Sequence, residues 1–352
     1  MNTITRNSNS QHNIFVGIDT HKDTHCAVTV TETGKFMSSL EIETNSKGYR
    51  NLINWARKQG TISCFGIEGT GCYGKNLASY LTNYDYQVVE INRVNRQHRR
   101  RYGKTDETDA HAAAKAVASG EQTNSHKQTY GRVEIIRVLQ IARSSAVKAR
   151  TQTACQIKAI LITAPEPIKN EVNGLTTLKL TTKAVKWRPK HYLTNEISAT
   201  RHTLKILATR WLTLNKEIKQ HDQDLATTLK ETVPEMMELQ GIGNDVAAKL
   251  VIAAGSNPQR MKSEASFAAL CGVSPVNASS GKQQRHRLNQ GGNRKANNAL
   301  YTIAITRMKH DPETKKYVNK KTAEGKTKKE TIRQLKRHIS RQIYKQLTKQ
   351  LT

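Results

Sequence analysis

Residues 14 to 30 read IFVGIDTHKDTHCAVTV, and this stretch decides the fold of the first third of the chain. The pattern predicts a buried strand that ends at Asp19, a short polar turn, and a second strand from Cys26 to Val30. An apolar strand that ends in a carboxylate places that carboxylate at the edge of a sheet, where a ligand or a metal ion can reach it. The alternative is that Asp19 only terminates the strand at a turn.

Two later segments also carry acids in informative positions. CFGIEGTGCYG (64 to 74) is a short apolar run that ends at Glu68 and continues into glycines. KTDETDAHAAAKAV (104 to 117) begins a helix with Asp106 and Asp109 three residues apart. Taken alone, these two aspartates are typical of an N-cap and a first-turn acid. Together with Asp19 and Glu68 they predict one acidic cluster, the donor set that metal-assisted phosphoryl transfer requires.

The order of elements in the first third predicts the fold class. Three strands come first, and helices and strands then alternate, which is typical of an α/β mixed sheet flanked by helices, as in ribonuclease H-like folds. The predicted strands lie near 14–19, 25–32, 35–43, 63–67 and 86–91, and the predicted helices near 46–59, 74–83 and 106–119.

Long helices dominate the middle of the chain. Apolar residues at helical spacing predict helices over 131–164 and 195–231, separated by a connector with proline and glycine, APEPIKNEVNGLTTLKL. Two long helices around a connector predict an antiparallel coiled-coil hairpin. Such hairpins commonly mediate oligomerisation, although an arm within one domain fits the pattern nearly as well.

The last third contains a glycine turn, a basic loop and a basic tail. Gly241 and Gly243 precede a predicted helix, as in a helix-hairpin-helix element. The backbone amides at the N-terminus of such a helix can donate hydrogen bonds to a phosphate. The loop 279–298 is polar and basic and lies between two apolar helical segments. In the tail 309–352, Lys and Arg occupy one helical face, and the opposite face is marked by Ile332, Leu335, Ile339, Ile343 and Leu347.

Charge limits the classes of partner. The chain has 352 residues, with 57 Lys+Arg against 28 Asp+Glu, a formal net charge of +29 and a pI near 10. Such an excess predicts a polyanionic partner. The sequence shows neither an apolar run of membrane-spanning length nor a signal peptide, and its five cysteines form no CxxC pair. We therefore expect a cytoplasmic, nucleoid-associated protein with no membrane partner.

Basic residues are concentrated beside the candidate chemical groups. Four of them, Arg99, Arg100, Arg101 and Lys104, directly precede the DxxD helix. A second set surrounds a pair of serines, Ser279 and Ser280, in the basic loop; this set comprises Lys282, Arg285, Arg287, Arg294 and Lys295. The loop alone does not identify a nucleophile, but these cations could hold a scissile phosphate beside a serine. Histidines at 21, 25 and 111 fit solvated loop positions better than roles in positioning water.

These motifs together resemble the IS110 family of insertion-sequence transposases, which pair a RuvC-like DEDD domain with a serine-bearing transposase domain. The resemblance covers most of the chain and includes VGIDTHKD, GIEGTGCYG, KTDETDAHAAA, LQGIGNDVAAKLV and AALCGVSP…SSG…GGNRKANNALY. It implies that the catalytic serine is Ser280, five residues after Pro275 and directly before Gly281, with Ser279 as the alternative register. The chain departs from the family pattern at Asn277-Ala278 and at QGGN.

The resemblance implies a fold and a domain organisation. The polar composition of residues 1–12 predicts a disordered segment, and the patterns above predict the hairpin at 131–232 and a basic helical tail at 311–352. The resemblance adds a RuvC-like domain at 13–125 and a mostly helical transposase domain at 233–310 with the helix-hairpin-helix-like element.

The resemblance also implies a mechanism. Ser280 would form a covalent phosphoserine intermediate with DNA, while Asp19, Glu68, Asp106 and Asp109 hold Mg²⁺, with Mn²⁺ as a substitute. The implied partners are donor and target duplex DNA, a structured non-coding guide (bridge) RNA encoded by the element, and further copies of the chain in a dimer or tetramer with composite sites.

Three other functions remain consistent with the residues. A site-specific DNA invertase would use the same groups. A RuvC-like junction nuclease would use the four carboxylates with water and would not depend on Ser280. A non-catalytic nucleic-acid-binding relic would need only the charge, but intact acids and an intact SSG argue against decay.

Overall fold

The computed structural model describes residues 12–91, 105–120, 125–188, 195–278 and 286–351. The chain forms two compact units, residues 1–128 and 129–352. Within the described residues, no helix combines the length and the apolar character needed to cross a bilayer.

The first unit is built on a five-stranded mixed sheet. Its strands are β1 (Asn13–Thr20), β2 (Thr24–Thr31), β3 (Phe36–Glu43), β4 (Thr61–Glu68) and β5 (Val88–Ile91), in the spatial order β3-β2-β1-β4-β5. The first three strands are antiparallel neighbours, whereas β4 and β5 lie parallel to β1. The sequence-based fold class, a ribonuclease H/RuvC-like mixed sheet, is confirmed.

Helices cover both faces of this sheet. Helices α1 (Ser46–Arg57) and α2 (Lys75–Asn83) pack on one face, where Ile14, Val16 and Ile18 are fully buried. Helix α3 (Asp106–Ala118) packs on the other face, against valines of β2. The alternation of side chains along a strand explains how one strand supplies both layers.

Two glycines let α3 lie directly on the sheet. Gly17 of β1 and Gly66 of β4 are paired neighbours, and they face α3. A Cβ atom at Gly17 would lie only 2.1 Å from the Ala110 carbonyl oxygen and 2.1 Å from the Ala114 nitrogen. A Cβ at Gly66 would meet Val117 at 3.0 Å. The absence of side chains here fixes the position of α3, and with it the position of the acids at its N-terminus.

The second unit begins with the helical hairpin. Helices α4 (Gly131–Thr163) and α7 (Glu196–Thr232) pack along each other. These boundaries lie within a residue or so of those expected from the apolar periodicity. Salt bridges from Arg143 to Asp222, with Nε–Oδ1 at 2.7 Å, and from Arg132 to Glu231 join the two helices.

The connector between the hairpin helices contains two short helices that the sequence interpretation did not anticipate. These are α5 (Glu166–Val172) and α6 (Thr177–Ala184). Pro165 precedes the first helix, and Gly174, with φ of +70°, separates the two. Their apolar residues pack with Ile157, Trp187 and Trp211 in a closed core at this end of the hairpin.

The remainder of the second unit is a helical domain with the largest apolar core. It comprises α8 (Pro234–Met237), α9 (Asn244–Ala254), a 3-10 turn (Pro258–Arg260), α10 (Glu264–Leu270), the short strands β6 (Val276–Asn277) and β7 (His286–Arg287), α11 (Arg294–His310), α12 (Pro312–Ala323) and α13 (Lys328–Gln350). The five residues that mark one apolar face of the tail, from Ile332 to Leu347, are buried in this core. The basic tail therefore packs as a structural helix.

Candidate functional site

Three residues that could hold a metal ion converge at the end of β1. His21 Nε2 lies 3.2 Å from Asp19 Oδ2 and 3.2 Å from Asp106 Oδ1. One ligand atom from each of the three residues lies within 4.8 Å of the others. Asp19 is supplied by the end of a buried strand, His21 by the turn after it, and Asp106 by the first turn of α3. The structure thus joins two of the acids that the sequence placed in one cluster.

Glu68 ends the strand beside β1. Ile18 and Ile67 are paired in the parallel register, so Asp19 and Glu68 follow at neighbouring strand ends. Each is two residues beyond a glycine that faces α3, so strand alternation directs both carboxylates towards the α3 face. The Thr20 hydroxyl donates a 2.8 Å hydrogen bond to the Glu68 carbonyl oxygen and ties the two strand ends together.

Asp109 lies on α3 three residues after Asp106, and its charge acts on Asp19, but it is not among the three residues whose ligand atoms converge. It is buried, whereas Asp106 is exposed. Thr105 caps the helix by accepting a hydrogen bond from the Thr108 amide, so capping does not require Asp106. The sequence alone left open that the DxxD aspartates serve only as an N-cap and a first-turn acid. In the structure the N-cap is Thr105.

The electrostatics of Asp19 indicate crowded negative charge. Burial raises the pKa of its carboxyl group, and the neighbouring charges of Asp109 and Asp106 raise it further, while His21 acts in the opposite direction. The half-buried thiol of Cys26, cross-strand from Asp19, has its pKa raised to about 11 by burial and by nearby acids that include Glu107. A cation bound among these groups would relieve the repulsion. The donor set, carboxylate oxygens with one imidazole, suits a divalent metal ion.

His21 is the residue whose role the sequence did not reveal. A histidine in a polar turn is most often solvated, yet its ring bridges carboxylates from two elements. The usable signal is its position two residues after the strand-end Asp19. Asp23, also in this turn, is exposed and is not among the residues that converge.

The serine pair and part of the basic set lie outside the described residues. These are Ser279, Ser280, Lys282 and Arg285 in the loop, and Arg99, Arg100, Arg101 and Lys104 before α3. The described base of the serine-bearing loop is the antiparallel pair β6–β7, in which Val276 pairs with Arg287 and Asn277 with His286.

Two interlocked turns hold the base of this hairpin. Gly292 approaches Gly272 so closely that a Cβ atom on Gly292 would lie 2.7 Å from the Gly272 nitrogen. The Asn297 side-chain amide donates to the carbonyl oxygens of Cys271 and Gly272, both at 2.9 Å. The QGGN segment, where the chain departs from the family pattern, is thus used to lock the turn before β6 to the start of α11. Arg294 and Lys295 are exposed in the first turn of α11.

The predicted glycine turn lies between α8 and α9. Gly241 has a φ of +83°, and Gly243 is the N-cap of α9 without a side-chain hydrogen bond to the helix. The first turn of α9 also contains Asp245, which accepts hydrogen bonds from Gln140 at 2.7 Å and from Lys249 at 2.6 Å. The turn therefore joins the four-residue α8 to α9 through a glycine of positive φ, and the first turn of α9 carries an internal carboxylate.

Comparison with protein families gives matches in two segments. Residues 16–164 match the DEDD transposase model of the IS110 type, and residues 234–319 match the model described as "Transposase IS116/IS110/IS902 family". The chain belongs to the IS110 family of transposases. A search of curated proteins found no match.

The two matches to the IS110 family cover both the acidic cluster and the hairpin at the serine-bearing loop. The first match spans the sheet, α3 and the hairpin helix α4, and so contains all four predicted acids. The second match includes the β6–β7 pair and α11. An IS110-family transposase acts on DNA, and the convergence of Asp19, His21 and Asp106 accords with the use of a divalent metal ion.

Proposed function

We propose that this IS110-family transposase mobilises an insertion sequence by metal-dependent cleavage and exchange of DNA strands through a covalent phosphoserine intermediate. The observation that carries the proposal is the convergence of Asp19, His21 and Asp106 in a chain of net charge +29. Asp109 adds its charge to the surroundings of Asp19, and Glu68 lies at the neighbouring strand end. A cluster of acids is unfavourable in a DNA-binding protein unless a cation offsets it.

The residues divide the work in the following way. Asp19, Glu68, Asp106 and Asp109 would hold Mg²⁺, or Mn²⁺ in its place, and the His21 imidazole, which contacts the carboxylates of Asp19 and Asp106, would orient them or complete the donor set. A bound divalent ion supplies neutralisation of the developing charge on the phosphate oxygens. The Ser280 hydroxyl loses its proton and forms an O–P bond as the P–O bond to one deoxyribose breaks. The released sugar oxygen takes a proton. In a later step a sugar hydroxyl attacks the phosphorus of a phosphoserine and loses its proton, so that a new phosphodiester forms as the serine O–P bond breaks and the Ser280 oxygen is protonated again.

The partners follow from the resemblance and from charge. Donor and target duplexes are the substrates, and a structured RNA encoded by the element guides their pairing. The basic residues before α3, the glycine turn at Gly241 and Gly243, and the cations around the serines would contact phosphates. A dimer or tetramer would bring together the copies that a two-duplex reaction needs, with the α4–α7 hairpin as the contact.

The first experiment is a search for the adduct. Purified protein is incubated with Mg²⁺, DNA that spans the flanks of the gene and RNA transcribed from those flanks, and a denaturation-resistant protein–DNA adduct is measured. Wild type and Ser279→Ala should give the adduct, and Ser280→Ala should not. Cleavage by the wild type without any adduct would overturn the serine mechanism in favour of a RuvC-like nuclease that uses water.

The metal site is tested separately with Asp106→Asn. This variant keeps the size of the side chain and should abolish strand cleavage, because a neutral amide is a poor ligand for Mg²⁺. DNA and RNA affinity, measured in EDTA, should stay near the wild-type value. Glu107→Gln on the same helix is the matched control and should retain cleavage. Full cleavage activity in Asp106→Asn would contradict the assignment.

A further inference from the structure

A cationic cleft lies at the base of the β6–β7 hairpin. It has a volume of about 380 Å³ and is bounded by the turn from Gly272 to Pro275, by β7 and the residues after it, and by α13. Six cationic side chains line it: Arg287, Lys326, Arg333, Lys336, Arg337 and Arg341. Glu330 is the single carboxylate in its lining. Most of these cations come from α13, which lies outside both family matches.

Little of this charge is neutralised within the protein. Arg337 and Arg341 share the carboxylate of Glu264, at 3.3 Å and 3.0 Å. The Glu330 carboxylate accepts hydrogen bonds from Thr327 in the capping box of α13. Among the described residues, neither Arg333 nor Lys336 has a carboxylate within ion-pair distance.

Lys336 is held in an environment that disfavours its charge. Half-burial lowers the pKa of its ammonium group, and the adjacent Arg333 lowers it further. Its Nζ donates a 2.9 Å hydrogen bond to the Asn297 side-chain oxygen, so it is anchored to the residue that locks the turn at Gly272. A half-buried cation beside a second cation is costly unless an anion binds.

The cleft also has apolar side chains in its lining, and these suit a nucleic-acid strand better than a bare anion. Val273, Pro275 and Leu288 line it next to the cations, and Leu288 is 53% exposed. Apolar side chains of this kind can pack against a sugar while nearby cations contact the flanking phosphates. The volume exceeds what one phosphate group would need.

We infer that this cleft binds the sugar-phosphate backbone of a DNA strand at the base of the β6–β7 hairpin, with Arg333 and Lys336 as its main phosphate ligands. The choice of DNA rests on the proposed function, because Ser279 and Ser280 lie in the chain between β6 and β7. In this role Arg333 and Lys336 are positioning residues that set where the backbone enters the hairpin.

The test is a charge-matched comparison of two double variants. Arg333→Gln with Lys336→Gln removes the cleft charges, and Lys309→Gln with Lys345→Gln removes two exposed charges from α11 and α13 that do not line the cleft. All chains carry Ser280→Ala and are kept in EDTA, so that only binding is measured. The probe is a fluorescein-labelled duplex from the gene's flanks, followed by anisotropy at several salt concentrations.

The cleft variant should bind the duplex about tenfold or more weakly than the control variant, and its salt slope should fall by about one to two phosphate equivalents. Equal affinities for the two double variants would overturn the inference. A loss confined to a labelled RNA hairpin from the same flanks would overturn the assignment to DNA. If Lys336→Gln prevents folding, Arg333→Gln is compared with Lys345→Gln, since the exposed Arg333 makes no hydrogen bond within the described residues.

Failure of this inference and failure of the proposed function are distinguishable. The binding comparison contains no covalent step and stands whether or not Ser280 is a nucleophile. The adduct assay on wild type decides the nucleophile whether or not Arg333 contacts DNA.

Discussion

Asp19 is a candidate metal ligand, and without a metal ion its ionised carboxylate destabilises the folded state. Burial, together with Asp109 and Asp106, raises the pKa of Asp19, so the folded state favours its protonated form. Its ionisation therefore destabilises the fold as pH rises from the unfolded pKa of about 4 through the raised folded pKa, and the penalty stays constant above that.

Asp19→Asn removes this penalty. We expect the variant to raise the free energy of unfolding of the metal-free protein at pH 7 by about 0.5–2 kcal/mol, and the gain to shrink as pH falls towards 4. Thermal unfolding in EDTA at several pH values measures it, with Asp23→Asn in the exposed turn as the control. Added Mg²⁺ should stabilise wild type but not Asp19→Asn. A variant less stable than wild type in EDTA would contradict this explanation.

The sequence was informative about which acids matter and less so about their neighbours. Strand ends and a helix start can be read from local periodicity, so the regions around Asp19, Glu68 and Asp106 were placed correctly in the fold. His21 could not be ranked, because its contact with Asp106 joins residues 85 positions apart. Such contacts depend on how α3 lies on the sheet, which local pattern does not encode.

At the scale of elements, the close packing of α3 on the sheet requires glycine at positions 17 and 66, because both residues face this helix. Gly17→Ala places a methyl group 2.1 Å from backbone atoms of α3, which cannot yield without moving the helix. We expect a loss of about 3 kcal/mol or more in unfolding free energy and a weaker stabilisation by Mg²⁺. Gly66→Ala should cost less, because its nearest contacts, the Val117 side chain at 3.0 Å and the Ala113 carbonyl oxygen at 3.1 Å, need to give by only a few tenths of an ångström.

Gly71→Ala is the matched control for this series, since nothing lies within 4 Å of a Cβ atom at that position. Urea unfolding of the three variants measures the order. Equal stability for Gly17→Ala and Gly71→Ala would show that α3 is not seated on the sheet in this way.

A charged network joins the hairpin to α9. Arg143 contacts both Asp222 and Asp245, the latter at 3.1 Å. Burial acts to raise the pKa of Asp245, but hydrogen bonds from Lys249 and Gln140 and the charges of Lys249 and Arg143 outweigh it and lower the pKa. A lowered folded pKa gives stability that is present above about pH 4 and is lost as pH falls through the folded value.

Asp245→Asn should therefore lower the free energy of unfolding by about 1 kcal/mol at pH 7, a small value because the side chain is 33% exposed. The difference from wild type should shrink as pH falls from about 4 through the lowered folded pKa, and it should vanish only below that folded value. Chemical unfolding at pH 7 and over a series of acidic pH values measures it. Asp224→Asn on α7, whose carboxylate accepts one hydrogen bond from Gln220, is the control. A difference that stays the same from pH 7 to the most acidic point of the series would contradict the electrostatic cause.

Long helices could be predicted from the apolar periodicity of the sequence, whereas short helices could not. The helices α4 and α7 each provide many turns of apolar spacing, so their limits were read to within a residue or so. Helices α5 and α6 have 7 and 8 residues, too few to separate a periodic pattern from a connector with proline and glycine. For α13 the sequence identified the apolar face but not the core that the face joins, because that core is assembled from distant segments.

At the scale of the molecule, the apolar clusters of the described residues divide between the two units. The clusters around Ile14, Ile91 and Val28 lie in the first unit, and those around Ile136 and Trp211 lie in the second. Because each of these clusters lies within one unit, each unit has an apolar core of its own and can unfold in a transition of its own.

We expect calorimetry to resolve two transitions, with Gly17→Ala lowering only one of them and Asp245→Asn only the other. The tryptophans provide an independent assignment, because Trp55 packs in the first unit and Trp187 and Trp211 in the second. With Trp187 and Trp211 replaced by Phe, fluorescence should follow the transition that responds to Gly17→Ala. A single transition shifted equally by both substitutions would refute independent units.

The buried face of α13 has a consequence for the order of events during synthesis. Leu347 packs in the same core as Val133 and Ile136, so this core closes only after α13 has been translated. The sheet and α3 are translated long before this core can close. Even α9, which belongs to the core itself, is translated roughly 5–20 s before the end of α13. A nascent chain would thus present a finished acidic cluster while the serine-bearing region is still unfolded. Under the serine mechanism proposed above, ribosome-bound copies would be unable to cut the gene from which they are being expressed.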